Sequence, residues 1–344
     1  MTGKALSFSR ARILAYRRRV GLLDARLPGS AASLRRAAWA GLQDSMPRAA
    51  SLSLHARVGS CSPRAGSDAV FIQVWGPRFS AYTVAAADRA VFTLGRMPSD
   101  ARGQDKAVQM AERIHAYLRG RRFPFGTVAR GIGERSPNKL RYAAPTGRVL
   151  MRWDGARQPE IWTEPTPRES TEQMRRELAR RYLRVFGPAT PGSFSSWAGV
   201  AATAARAVFG ELQASLSRVR TPLGEAWMLS EDLDMLQAPH PAPSPATVRL
   251  LPSGDAYYLL QGDDRRLLLP RAEHRSALWT SRVWPGAILA GGEIIGTWRR
   301  AHRELRLQPW GRVDRTARKA IEEEAAGLPI PGLEGGVAVT WSDK

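Results

Sequence analysis

Lys139, Arg141, Arg148, Arg152 and Arg157 bring five cations into residues 139–157. Side chains of this kind at this density suit phosphate: Arg offers a planar fork of donors, Lys a point charge. Other basic residues sit at turns and element edges. Arg48 falls one turn into a helix, and Arg78 follows Gly76-Pro77. Arg206, Arg218 and Arg220 bracket a helix and the strand after it. Over 344 residues the formal charge is +21. Such an excess implies a phosphate-rich partner and binding that weakens as salt is added. Lys occurs only at 4, 106, 139, 319 and 344, so the basic character is nearly all arginine. A GC-rich coding sequence accounts for Arg over Lys, but not for the excess of basic over acidic residues.

Other chemistries find little support. Cys61 is the single cysteine, which excludes a disulfide framework and a cysteine zinc cluster. The histidines at 55, 115, 240, 274 and 302 are scattered, without metal-ligand spacing. No apolar run approaches the ~18 residues of a membrane span. The first residues carry charge without the apolar core of a secretory signal. A cytoplasmic protein without cofactor or metal is expected.

The elements that must position the cations are clearest over residues 179–229. Leu183 and Phe186 close an amphipathic helix that Gly187-Pro188 stops. Thr190 before Pro191 is an N-cap followed by proline at the first helical position. Phe194, Trp197 and Ala198 repeat at helical spacing until Gly199. A third helix from Ala201 carries Ala204, Val208 and Leu212 on one face. Residues 215–220 and 225–229 are β-like. Three helices and a hairpin form a winged helix-turn-helix, whose last helix can enter a DNA groove while the hairpin touches the backbone.

The same order occurs twice upstream. Helices are expected at 7–20 with Ser9 as cap, from Ser33 through Leu42, and from Pro47 with Ser45 or Met46 as cap. Strands at 69–75 and 78–84 flank Gly76-Pro77, with Trp75 as a core residue and a further helix at 86–94. Residues 100–104 read as a polar linker. A helical stripe from Ala107 to Leu118 follows, then short helices near 128–132 and 137–143. Strands at 147–153 and 159–163 turn at Asp154-Gly155. Residues 237–247 form a proline-rich linker. Beyond it, short strands at 248–252, 257–260, 267–269, 286–289, 293–298 and 304–307 favour a small barrel or sandwich. A helix at 315–326 and a strand at 337–341 complete the chain. The expected class is α+β: winged helices at 1–99, 100–168 and 169–237, a linker at 238–246, and a β-barrel-like domain at 247–344.

With these pieces placed, the chain resembles the winged-helix DNA-binding proteins typified by the AlkZ DNA glycosylases. The carriers are GLQDSMPRAASLSLHARV (41–58), VWGPR (74–78), NKLRYAAPTGRVLMRWDG (138–155), RRYLRVFGPATPGSFSSWAG (180–199), VRLLPSGDAYYL (248–259) and GGEIIGTWR (291–299). The resemblance implies three tandem winged helices and a barrel forming a concave cradle for double-stranded DNA. A monomer is expected, since three such units could cover a site without dimerising.

In that family the loop after the second helix carries glutamine, an aliphatic residue, then glutamine or aspartate. Gln43 matches the first position, Asp44 takes the aliphatic one and Ser45 the last. In an extended loop, i and i+2 share a side. Ser45 is therefore expected beside Gln43, and Asp44 reaches the site only through another loop geometry. Read without the family, Gln43-Asp44-Ser45 ends one helix and caps the next. Tyr82 stands where the family carries histidine. The implied reaction is hydrolysis of the glycosidic bond of an alkylated, cationic base. That leaving group needs a positioned water more than acid catalysis. The alternatives are a regulatory or lesion-sensing DNA-binding protein without chemistry, and a basic structural protein of the nucleoid.

Overall fold

Side-chain caps set where most of the longer helices begin. Ser9 accepts from the Arg12 amide at the start of Arg10–Val20, and Asp100 from Gly103 ahead of Ala101–Leu118. Ser170, Thr190 and Asp314 do the same for Thr171–Phe186, Pro191–Ala198 and Arg315–Ala326. Each cap satisfies an amide that the first helical turn leaves without a partner. The computed structural model describes residues 6–46, 48–155, 157–239, 241–330 and 336–342.

Three helix–hairpin groups follow one another, but their sheets do not stay separate. The first hairpin pairs Phe71–Trp75 with Ala81–Ala85, and the second Val149–Arg152 with Glu160–Thr163. The pair Gln73↔Met151 joins them into one six-stranded sheet, edged by Leu42–Gln43 and Phe123–Pro124. The Gln73 side chain reinforces that seam by accepting from the Trp153 amide at 2.7 Å and donating to the Trp153 carbonyl at 3.3 Å. The third hairpin, Leu216–Thr221 with Gly224–Leu229, takes Leu6–Ser7 as a parallel third strand. The N-terminal helix packs with this third hairpin: Phe8, Ile13 and Tyr16 share a core with Val219, Met228 and Leu236.

Several expectations need correction. The second helix is Ala31–Ala37 with Ser30 as cap, not Ser33, and Leu42 lies in a strand. Pro47 lies outside the described residues. The next helix is Ala49–His55, preceded by Arg48 in a left-handed conformation. Asp100 caps a helix that absorbs the supposed linker at 101–104. Of the C-terminal strands, 257–260 is a 3-10 turn and 267–269 falls at the end of the helix Asp264–Leu268. Short apolar runs without alternation do not tell a strand from a buried helical turn.

The C-terminal sheet is open, not a barrel. Val248–Leu251, Gly286–Ala290, Glu293–Ala301, Glu304–Pro309 and Ala338–Trp341 pair in chain order, the last pair parallel. Ile321 and Ala325 of Arg315–Ala326 pack on Leu250, Ile288, Leu305 and Leu307. The helix covers the apolar face that closure would otherwise bury. None of the helices among the described residues is long and apolar enough to cross a membrane.

Candidate active site

Gln43 ends the edge strand Leu42–Gln43, in register with Tyr82. Its Oε1 accepts from Arg78 Nη2 at 3.1 Å. Across the amide lies Gly254, in a left-handed turn at φ +75; a β-carbon there would stand 3.0 Å from Gln43 Nε2. The amide is therefore held between the first hairpin and the turn after Val248–Leu251. Arg78 itself occupies a left-handed position, φ 52, at the hairpin turn. Gly199 lets that turn approach, since a β-carbon there would meet the Arg78 nitrogen at 3.1 Å.

The turn carrying Gly254 is fixed by a buried ion pair. Arg57 grips both Asp255 oxygens at 2.7 Å, and Ser53 and the Tyr257 amide bind the same carboxylate. Arg57 is 3% exposed and Asp255 1%. Arg96, also buried, donates to the carbonyls of Trp75 and Ala198, tying the first hairpin to the helix Pro191–Ala198. Burial pushes the Arg96 pKa down to about 9.

Asp44 and Gln43 have no partner in common. Asp44 Oδ1 accepts from the Ala50 amide at 3.0 Å, and Oδ2 from Gln73 Nε2 at 2.7 Å and Thr83 Oγ1 at 3.3 Å. It caps Ala49–His55 from below, a role expected of Ser45 or Met46. Burial raises its pKa, and the amide and side-chain donors pull it back. Asp44 as a catalytic carboxylate would need a loop geometry that this chain does not adopt. Ser45 is half-buried two residues beyond Gln43. Tyr82 is fully buried against Gly76, so it packs the hairpin where a histidine was expected.

The cations separate into three groups. Arg78 and Arg141 turn inward: Arg78 holds Gln43, and Arg141 reaches the Phe79 carbonyl at 3.5 Å. Lys139, Arg148 and Arg218 sit in ion pairs with Glu134, Glu112 and Glu225. Arg48, Arg152, Arg157, Arg206 and Arg220 are exposed. Arg48 lies close enough to Arg300 to help lower that residue's pKa, second to burial. Likewise Arg78 acts on Arg265, again second to burial. Each pair thus brings like charge from a distant chain segment into electrostatic range.

No local signal marks Gly254, Asp255, Arg57 or Arg96, because the placement of the Gly254 turn against Gln43 is a tertiary fact. The helix Ala202–Glu211, the expected groove reader, buries Ala204, Ala205, Val208 and Phe209. Its exposed face offers Arg206 among small and acidic residues.

A profile of the DNA glycosylase AlkZ-like family matches residues 36–329. An interstrand DNA cross-link repair glycosylase of Streptomyces sahachiroi is 29% identical over 199 residues, 56% of this chain and 49% of that protein. The match thus spans about half the length of that relative. The solved structure of Streptomyces sahachiroi DNA glycosylase AlkZ superposes with a TM-score of 0.78, over 98% of this chain and 100% of that one, at 18% identity.

Proposed function

Since the chain belongs to the AlkZ-like DNA glycosylase family, we propose that it binds double-stranded DNA and hydrolyses the glycosidic bond of an alkylated base. The observation that carries this reading is the Gln43 amide, held at one end by Arg78 and confined by Gly254. A carbonyl oxygen has two lone pairs. Arg78 takes one and leaves the other to orient a water. An N7-alkylated purine departs with the electrons of the C1′–N9 bond and becomes neutral. The water oxygen adds to C1′ of the oxocarbenium-like sugar and releases its proton to solvent. Little general-base strength is required, because the leaving group is already cationic. Arg78 is a positioning residue here: it fixes which face of the amide meets the water.

The test is incubation with duplex carrying an N7-alkylguanine, followed by assay of free base and abasic sites. Release is expected, and Gln43→Ala should lower its rate by about 10²-fold, the loss typical of one positioned polar group. Release undiminished in Gln43→Ala would remove the amide from the chemistry. One observation favours a second reading, a lesion sensor without chemistry: Ser45 stands where the family carries glutamine or aspartate, and Asp44 is engaged elsewhere. Lesion-preferring binding without any release would select that reading.

A further inference from the structure

A cavity of about 690 Å3 opens between the helices Arg10–Val20, Ala31–Ala37 and Thr171–Phe186. None of Gln43, Arg78 or Gly254 lines it. Its size falls within the ~300–1,000 Å3 of small-ligand sites. Its wall is dominated by arginine. Arg57, Arg180, Arg181 and Arg184 are matched by carboxylates: Asp255, Glu231, Asp88 with Glu177, and Asp232. Arg17, Arg19 and Arg36 also line the cavity, and among the described residues no ion pair involves them.

Arg17 is the unusual member. It is 3% exposed, and its partners are the carbonyls of Phe186, Gly187 and Pro188. Its Nη1 is buried with no hydrogen-bond partner. A guanidinium removed from water and left with an unused donor is costly unless an acceptor arrives. At the rim, Trp39 is 41% exposed. Arg181 covers one face of its indole, 4.1 Å from the ring centroid. An exposed tryptophan backed by an arginine is a stacking platform for a flat ring.

We propose that this cavity binds a phosphate ester of mononucleotide size, with its phosphate toward Arg17, Arg19 and Arg36 and its ring on Trp39. The two sources of that chemistry are a free nucleotide and one nucleotide of a bound strand. The site is separate from the Gln43 chemistry and stands whether or not the protein excises bases.

Calorimetric titration of the full chain at low salt with deoxyguanosine monophosphate tests the proposal, with inorganic phosphate as a second titrant. Saturable binding at one site is expected. Arg36→Glu should weaken it by about fivefold or more, as expected for reversing one charge near the phosphate. Trp39→Ala should weaken the nucleotide while sparing inorganic phosphate. Arg102→Glu, an equal charge change outside the cavity, should leave both unchanged. All three positions are exposed, and circular dichroism checks that the variants fold. No saturable binding, or equal losses in Arg36→Glu and Arg102→Glu, would overturn the proposal. Displacement of the nucleotide by undamaged duplex assigns the site to a strand; persistence beside duplex assigns it to the free nucleotide.

Discussion

Two consecutive residues, Gln43 and Asp44, take different partners: Gln43 meets Arg78, and the Asp44 carboxylate is spent on structure. All three atoms bonded to the Asp44 carboxylate are donors. Asp44→Ala strands the Ala50 amide and the Gln73 side chain in the interior, and should cost about 2 kcal/mol in chemical denaturation. Asp44→Asn keeps one acceptor but turns an NH2 toward a donor, so it should fall between. The pH dependence has a definite sign. Burial lifts the Asp44 carboxyl above its ordinary value. The native state then holds its proton more tightly than the unfolded chain, whose Asp titrates near ~3.9. That contribution is full below the unfolded value and is lost as pH rises through the native one. The advantage of wild type over Asp44→Asn should therefore shrink as pH rises; an advantage that grows with pH would refute the assignment. Gly254 gives a separate test of the site. Gly254→Ala places a methyl against Gln43 Nε2 at a left-handed position, which costs about 1 kcal/mol. Base release, where present, should drop by far more than that modest loss of stability suggests, because the amide itself must move.

Elements hold the site together across long sequence separations, and the strongest strut is Arg57–Asp255. It joins the end of the helix Ala49–His55 to the turn that carries Gly254. Asp255→Ala leaves a buried guanidinium without its counter-ion and should destabilise by about 3–5 kcal/mol. Adding Arg57→Met should recover much of that loss, since the penalty belongs to the orphaned charge. A double variant no better than the single would place the role in packing instead. This strut also marks what the sequence could and could not disclose. Thr190-Pro191 and Gly199 announced the helix Pro191–Ala198, and caps and breakers of this local kind carried the three helix–hairpin groups. Local signals failed where the decisive contact was distant. Leu6–Ser7 joins the third hairpin, Gln73 welds two hairpins into one sheet, and Arg315–Ala326 leaves the last sheet open. The cation cluster was legible as charge, but the pairing of Arg148 with Glu112 depends on the helix Ala101–Leu118, which only the fold brings alongside.

At the scale of the whole molecule, the +21 charge is unevenly available. Ion pairs occupy Lys139, Arg148 and Arg218, whereas Arg48, Arg152, Arg157, Arg206 and Arg220 are exposed with no ion pair seen among the described residues. Duplex binding releases about one condensed counter-ion per phosphate neutralised, so the slope of log affinity against log salt counts the contacts. Replacing an exposed arginine that meets a phosphate should lower that slope by about one, uniformly across DNA sequences. Arg48→Gln is the sharpest case, because Arg48 is exposed close to the Gln43 strand and has no ion pair among the described residues. Its loss should reduce both affinity and slope. Arg218→Gln removes a charge already answered by Glu225, and should change the slope by less. Equal slopes for wild type, Arg48→Gln and Arg218→Gln would show that neither cation meets the duplex, and would move the DNA face away from the first and third hairpin groups altogether.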